Sequence, residues 1–218
     1  MKYFFFGCLL VCFCACNQKQ NSPALPAQDS PKKTEQEISS ATTLITDTSV
    51  GKIHKTSSYT DLQQVFGNNN LQDTIDYGAE GMDSFIVTKI YFNTRQELVV
   101  NWQLNKFHKA IATVDCLQEN SPYQTADSLK VGSTLEKLLQ ANGQKINFYG
   151  TGWDYGGLIT SYNKGKFDKS NIFFSLNSRE DAENVMGDQE LNTDQPKVKA
   201  NLKKLYISKI SVSLYNKK

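Results

Sequence analysis

The amino-acid sequence predicts an α+β fold in which short helices pack on one face of an antiparallel sheet. Three observations support it: runs rich in β-branched and aromatic residues, two short amphipathic stretches with helix-capping signals, and turn residues between them. The chain has 218 residues, of which 39% are hydrophobic and 11% aromatic, enough for one or two ordinary domains. We expect a folded domain over residues 50–214 and a C-terminal tail at 215–218.

The strands are predicted from local composition. The runs 84–92 and 97–104 flank turn residues at 93–96 and therefore read as a β-hairpin. A third strand follows at 110–117. Later strands are predicted over 158–162, 171–176 and 205–214, the last because apolar and polar residues alternate over part of its length.

Two helices are predicted from capping boxes, in which a Ser or Thr is answered by an acid three residues later. The pairs are Ser58 with Asp61 and Ser133 with Glu136, and glycine ends each stretch. Because a Val-Gly pair precedes each helix and strands follow it, we interpret 50–117 and 129–214 as two tandem repeats of a helix and an antiparallel meander. A short helix is also predicted over 178–185, and 187–204 is predicted to be a polar loop.

The repeated unit consists of Gly-Ser/Thr, a later apolar residue and a closing Gly, followed by strands. This unit resembles the small outer-membrane assembly lipoproteins of the SmpA/OmlA type. It also resembles the tandem repeat of the β-lactamase inhibitor protein. The matching positions in the second copy are Gly132, Ser133, Leu138, Leu139 and Gly143. In the first copy, Gly51 lies further from its helix. The resemblance implies helices on one face of an antiparallel sheet and a protein-binding role, and it brings no catalytic residues.

The N-terminus has the pattern of an export signal. Met1-Lys2 is followed by an apolar run over 3–15, shorter than the roughly 20 residues that cross a bilayer. Phe13-Cys14-Ala15-Cys16 resembles the lipobox of bacterial lipoproteins. That resemblance implies removal of residues 1–15 and lipidation of Cys16, and a plain secretory signal is the alternative.

The segment 16–49 is predicted to be a lipidated cysteine followed by a disordered tether. Residues 17–49 contain no aromatic residue and no Gly, and hold three of the five Pro. We expect a lipid anchor on the membrane without a membrane span. Asn17 is not the Asp that favours inner-membrane retention in the lipoproteins that the signal resembles. The periplasmic face of the outer membrane is therefore the favoured location, and surface exposure is the alternative.

Composition and motifs narrow the function. A net charge of +2 argues against a nucleic-acid partner, and two His without ligand spacing argue against a metal. The sequence contains no H-E-x-x-H, G-x-S-x-G or P-loop motif, and its S-x-x-K matches are no more than chance would give. We expect a non-enzymatic protein without cofactor that binds an envelope protein. Cys116 is predicted to be a buried thiol, and a catalytic role with His108 as its base is disfavoured.

The candidate binding segment is 148–157, which holds four aromatic residues, one carboxylate and four Gly. Its candidate binding residues are Tyr149, Trp153, Asp154 and Tyr155. They would anchor a protein or peptide, or stack on a glycan, in an inhibitor or ligand-binding module. The favoured alternative is that these aromatics fill the core of a sheet. A cell-wall hydrolase using Asp154 is the third hypothesis. Other side chains considered for the same surface are Tyr77, Glu80, Trp102 and His108.

Overall fold

The structure of this chain is a computed structural model that describes residues 42–78, 81, 83–179 and 182–215. The predicted signal peptide, Cys16, most of the predicted tether and all but the first residue of the predicted tail lie outside the described residues. Within them, the predicted α+β fold with antiparallel sheets is confirmed. None of the helices in this part of the chain is long and apolar enough to cross a membrane.

The described residues form thirteen strands and three α-helices. The strands are β1 (Leu44–Thr46), β2 (Ser49–Val50), β3 (Ile53–His54), β4 (Leu71–Tyr77), β5 (Ser84–Ile90), β6 (Leu98–Trp102), β7 (Ile111–Cys116), β8 (Gln124–Thr125), β9 (Asn147–Tyr149), β10 (Ile159–Ser161), β11 (Ile172–Ser178), β12 (Glu190–Asn192) and β13 (Leu205–Ser213). The helices are α1 (Tyr59–Phe66), α2 (Leu135–Asn142) and α3 (Pro196–Lys199). The described residues also form the 3-10 turns Asn68–Asn70 and Glu183–Val185.

The largest sheet has six antiparallel strands in the order β11-β13-β7-β6-β5-β4. Along one of its rows Val100 faces Val114, which faces Val212, and all three are fully buried. They share the main core with Leu62 of α1 and Leu135 of α2. One face of the sheet is therefore the core face that the helices cover.

Polar side chains on the other face of this sheet link its central strands. Asn101 donates from Nδ2 to Thr113 Oγ1 at 2.9 Å, and Ser211 donates from Oγ to Asp115 Oδ1 at 2.6 Å. These side chains come from three adjacent strands, so they tie β6, β7 and β13 together on the solvent side.

Helix α1 begins at the predicted capping box. Ser58 Oγ accepts from the Asp61 N–H at 3.4 Å, and the Ser58 N–H donates to Asp61 Oδ2 at 2.7 Å. These hydrogen bonds lower the pKa of the Asp61 carboxyl. The helix ends at Gly67, as predicted.

For α2 the predicted cap is wrong by one residue. Thr134 is the N-cap, and its Oγ1 accepts from the Lys137 N–H at 3.3 Å. Ser133 instead accepts from the Lys130 N–H, and its backbone carbonyl accepts from the Ile207 N–H of β13. Because Ser133 is tied to β13, the helix begins one position later.

The predicted boundary between tether and folded domain at residue 50 is also wrong. Strand β1 pairs in parallel with β8 and antiparallel with β2, and Ile45 is buried in the main core. The Asn171 N–H donates to Asp47 Oδ1 at 2.7 Å, which ties the β1–β2 turn to the start of β11. The folded domain therefore includes residues 43–49. These residues were assigned to the tether because the polar residues before them dominate the composition of the segment, although 43–49 itself contains β-branched residues.

The second predicted repeat is not one meander. Strands β9, β10 and β12 form a separate three-stranded sheet, whereas β11 and β13 join the six-stranded sheet beside β7. The predicted loop 187–204 contains β12 and α3, with Pro196 in the first turn of the helix. The predicted helix 178–185 is wrong at its start, because β11 extends to Ser178. Only Glu183–Val185 is helical among the described residues of this stretch, and it is a 3-10 turn. Strand β4 was not predicted.

Candidate functional site

The candidate segment starts on the middle strand of the three-stranded sheet. Phe148 in β9 pairs with Ile159 of β10 and Leu191 of β12, and its side chain is fully buried. The prediction that the aromatics of this segment fill the core is therefore right for Phe148.

After β9 the chain makes a compact loop over 150–157. The Thr151 N–H donates to Val185 O at 3.0 Å, and the Gly156 N–H donates to Trp153 O at 2.8 Å. The Gly157 N–H closes the loop by donating to Tyr149 O at 3.0 Å. The loop is held at both ends by backbone hydrogen bonds, which gives it a defined conformation.

Two glycines make this conformation possible. Gly157 has φ +75°, and a Cβ there would overlap the carbonyl oxygen of Leu176. A Cβ on Gly150 would lie 2.5 Å from Gly187 O. Any larger residue at either position would push the loop away from its neighbouring strands.

The end of β9 and the loop carry three aromatic rings that pack in sequence, which we call the aromatic row: Tyr149, Trp153 and Tyr155. Trp153 is 37% exposed and Tyr155 is 49% exposed, so the core prediction is wrong for these two residues. The ring centroids lie 6.0 Å apart between Tyr149 and Trp153, and 5.5 Å apart between Trp153 and Tyr155. Trp153 also donates from Nε1 to Gly150 O at 2.8 Å, which fixes the orientation of its indole.

Apolar neighbours widen this surface. Leu158 follows the loop, and Met186 pairs with Thr151 in an isolated bridge. The side chains of Leu158 and Met186 are exposed. Asp154 is exposed between Trp153 and Tyr155. Exposed aromatic and aliphatic side chains on neighbouring segments are typical of a site that binds another molecule.

Three of the four other side chains considered for this surface lie elsewhere. Trp102 and His108 lie near β4, β5 and β6, whereas Leu158 pairs with Ser175 of β11 at the opposite edge of the six-stranded sheet. Tyr77 lies in edge strand β4, and Glu80 is outside the described residues. The structure therefore does not bring Tyr77, Trp102 or His108 to the aromatic row.

Trp102 and His108 belong to a second aromatic cluster. The His108 ring stacks between Tyr59 and Phe107, with centroid distances of 3.7 and 3.8 Å. Trp102 packs edge-on against His108, with centroids 5.4 Å apart. The Tyr59 N–H donates to His108 O at 3.0 Å, so the cluster joins the start of α1 to the β6–β7 loop. This cluster was not predicted, because Tyr59 is far from the other rings in the sequence.

A polar chain lies beside this second cluster. Trp102 donates from Nε1 to Thr88 Oγ1 at 2.9 Å, and Thr88 donates to Asp73 Oδ1 at 2.6 Å. His108 Nε2 lies 3.0 Å from Asp73 Oδ2 without an aligned hydrogen bond, so the contact is an electrostatic one when the ring is protonated. Burial and the Asp73 charge raise the pKa of the Tyr59 hydroxyl. Because the Thr88 hydroxyl is already donor and acceptor, this arrangement suits structural support rather than nucleophilic chemistry.

Cys116 is a free, fully buried cysteine in β7, as predicted. Burial, followed by the charge of Asp115, raises the pKa of its thiol well above the usual range. It pairs with Leu98 and Ile210, whereas His108 lies beyond the other end of β7. The structure therefore does not bring the thiol to its candidate base.

Within the described residues, no group of three or more His, Cys, Asp or Glu side chains is placed to hold a metal ion. A cavity of about 350 Å³ lies between the β1–β2 turn and the loop before β11. On its rim Lys166 and Asp127 form an ion pair at 2.7 Å. Since these charges neutralise each other, the cavity has no evident selectivity for an ion.

No family model, curated protein or solved structure matches this chain. The functional conclusion therefore depends on the residues themselves.

Proposed function

We propose that this chain is a non-enzymatic, lipid-anchored protein of the bacterial cell envelope whose folded domain binds a protein partner through the aromatic row. The observation that carries the binding role is the exposure of Trp153 and Tyr155 on a loop with fixed backbone geometry. Large aromatic side chains supply most of the binding free energy at many protein interfaces.

The rigidity of the loop favours binding. The indole of Trp153 is already oriented by its hydrogen bond to Gly150 O, and the two neighbouring rings pack against it. Little conformational entropy remains to be lost when a partner covers these side chains. Preorganisation of this kind increases affinity without adding contacts.

The ring geometry favours a protein over a glycan. The planes of Tyr149 and Trp153 meet at 76°, and those of Trp153 and Tyr155 meet at 65°. The row is therefore a faceted surface rather than a flat platform for consecutive sugar rings. Side chains of a partner protein would fit between such facets.

A glycan- or peptide-binding or inhibitor module is the second candidate. Asp154 is exposed and stands between Trp153 and Tyr155 in the sequence, so its carboxylate could accept hydrogen bonds from sugar hydroxyls or peptide amides. In that case the chain would bind isolated cell-wall polymer, and the binding would be lost in Asp154→Asn.

The membrane anchor is the other part of the proposal. The lipobox-like signal supports lipidation at Cys16 and attachment to the periplasmic face of the outer membrane. Two or three acyl chains would hold the protein on the membrane nearly irreversibly. The segment between Cys16 and β1 would let the folded domain act at a distance from the lipid headgroups.

The experiment compares Trp153→Ala and Tyr155→Ala with Phe173→Ala in the full-length chain. Phe173 is 47% exposed on β11 and is outside the aromatic row, so it is a matched control. After crosslinking in membranes, we expect one stoichiometric partner with the native chain and with Phe173→Ala, but not with the two row variants. All four chains should unfold at similar temperatures.

Two results would count against the proposal. Partner recovery unchanged in Trp153→Ala would remove the row from the interface. Release of the native chain by high salt, or retention of Cys16→Ser on the membrane, would contradict the lipid anchor.

A further inference from the structure

The two edge strands of the six-stranded sheet differ in how they are covered. At one edge, the Leu176 N–H of β11 donates to Gly157 O at 2.9 Å, and Leu158 pairs with Ser175. At the other edge, no strand of the described residues pairs with the outer side of β4. An uncovered edge presents backbone N–H and C=O groups to which another chain can bind.

Hydrogen bonds just beyond the two ends of β4 show which of its residues face outward. The Tyr91 N–H donates to Asn70 O at 2.8 Å, and the Gly78 N–H donates to Asp83 O at 2.9 Å. The register between these two pairs is unbroken, so backbone direction alternates along β4. The residues that turn toward β5 are Gln72, Thr74 and Asp76, and those that turn outward are Leu71, Asp73, Ile75 and Tyr77.

Two of the outward N–H groups are already satisfied within the chain. The Leu71 N–H donates to Asn68 O, and the Tyr77 N–H donates to Asp76 Oδ1 at 3.0 Å. The outward N–H groups of Asp73 and Ile75 have no partner among the described residues. The edge available for pairing is therefore short and has a defined centre at Thr74.

We propose that β4 pairs with β4 of a second copy of this chain, antiparallel about a two-fold axis at Thr74. In this register, Asp73 of each copy faces Ile75 of the other as a hydrogen-bonded pair. The two free N–H groups of each copy then all find carbonyl partners, and the N–H groups of Leu71 and Tyr77 keep their own.

The charges select this register over its neighbours. Asp76 of each copy faces Gln72 of the other, so no carboxylate faces another. A two-fold axis at Asp73 would place two carboxylates opposite each other, which is destabilising. An axis at Ile75 would require the Tyr77 N–H, which Asp76 already occupies. Thr88 also holds the Asp73 carboxylate toward its own sheet, away from the edge.

Pairing would also cover apolar surface. Ile75 is 58% exposed and Tyr77 is 65% exposed. Both lie on the same face of the sheet as Leu71, because side chains two apart in a strand share a face. In the proposed register Tyr77 lies opposite Leu71 of the other copy, and both gain an apolar neighbour.

Disulfide crosslinking of the full-length chain in detergent tests the register. The two Thr74 residues would form a non-hydrogen-bonded pair with Cα atoms about 4.5 Å apart, within the range of a disulfide. Mild oxidation of Thr74→Cys should therefore produce a covalent dimer. Gln72→Cys should stay at the level of the native chain, which carries the same other cysteines. Mixed Gln72→Cys and Asp76→Cys chains should crosslink to each other.

Equal crosslinking of Thr74→Cys and Gln72→Cys would indicate random collision and overturn the proposal. So would a folded Thr74→Cys chain that stays monomeric, or a failure of the mixed pair if Thr74→Cys does not fold. Ile75→Pro removes an N–H that the monomer does not use, so it should abolish the dimer in sedimentation velocity while the chain stays folded. A dimer that persists in folded Ile75→Pro would equally contradict β4 pairing.

Discussion

At the scale of single residues, the exposure of the aromatic row depends on the glycines that shape its loop. Trp153 and Tyr155 are exposed because the loop between β9 and β10 folds back tightly over 150–157. That fold requires a left-handed residue without a side chain at Gly157. The backbone therefore decides whether these rings form a surface or a core.

Gly157→Ala tests this requirement. Alanine would be strained at φ +75°, and its Cβ would overlap Leu176 O, so we expect a loss of about 3 kcal/mol in the free energy of unfolding. Gly143→Ala is the matched control, because Gly143 has φ +72° but nothing within 4 Å of the added Cβ. It should cost about 1 kcal/mol. Urea unfolding followed by circular dichroism measures both, and equal losses would contradict the overlap.

Composition identified the 148–157 segment, but it did not separate core from surface within it. Phe148 is buried because it lies on the middle strand of a sheet, and Trp153 is exposed because it lies in the loop after that strand, at the start of a turn. Both residues have the same apolar character in the sequence. Only the positions of β10 and β12, which come later in the chain, distinguish them.

At the scale of elements, local signals were sufficient for most helices and strands. The α1 capping box and the β5–β6 hairpin depend on neighbours in sequence, and the structure has both. The start of α2 was misplaced because Ser133 bonds to β13, about 70 residues later in the chain. Strand β4 was missed because its side chains are mostly exposed, so it lacks a clear apolar alternation.

At this scale, the hydrogen bonds of Thr88 stabilise the part of the sheet on which α1 packs. Thr88 is fully buried and bonds to both Trp102 and Asp73. Thr88→Val would leave the indole N–H of Trp102 without its acceptor and remove the hydrogen bond to Asp73, and we expect a loss of about 2 kcal/mol. Thr113→Val is the control, since Thr113 accepts from Asn101 on the solvent face where water can replace it. Its loss should be below about 1 kcal/mol, and thermal unfolding of both variants checks the difference.

At the scale of the whole molecule, both halves of the chain contribute to one sheet. Strands β11 and β13 from the second half pair beside β7 from the first, and α1 and α2 share a core. We therefore expect the domain to unfold as one cooperative unit. Neither predicted repeat would be stable alone.

This shared core contains groups that oppose ionisation. Burial raises the pKa of Tyr162 to about 12, and it also raises those of Tyr123 and Cys116. Because the folded pKa of Tyr162 lies above the ordinary value of 10.0, its contribution is complete below pH 10 and is lost as pH rises from 10 to 12. The free energy of unfolding should therefore fall in that window.

Tyr162→Phe should make this fall less steep, by up to about 1.4 kcal/mol per pH unit. The exposed Tyr155→Phe is the control and should keep the native pH dependence. Urea unfolding at several alkaline pH values measures the slopes. An unchanged slope in Tyr162→Phe would mean that Tyr162 ionises equally in both states.

The sequence by itself determined the features that depend on neighbouring residues: the α+β class, the helix cap at Ser58 and the main hairpin. The tertiary structure alone decided the sheet order, the inclusion of β1 in the fold, the exposure of Trp153 and the open edge at β4. The physical reason is that caps and turns are stabilised by contacts within a few residues. Burial and edge exposure depend on which distant strands become neighbours, and these contacts leave no local pattern in the chain.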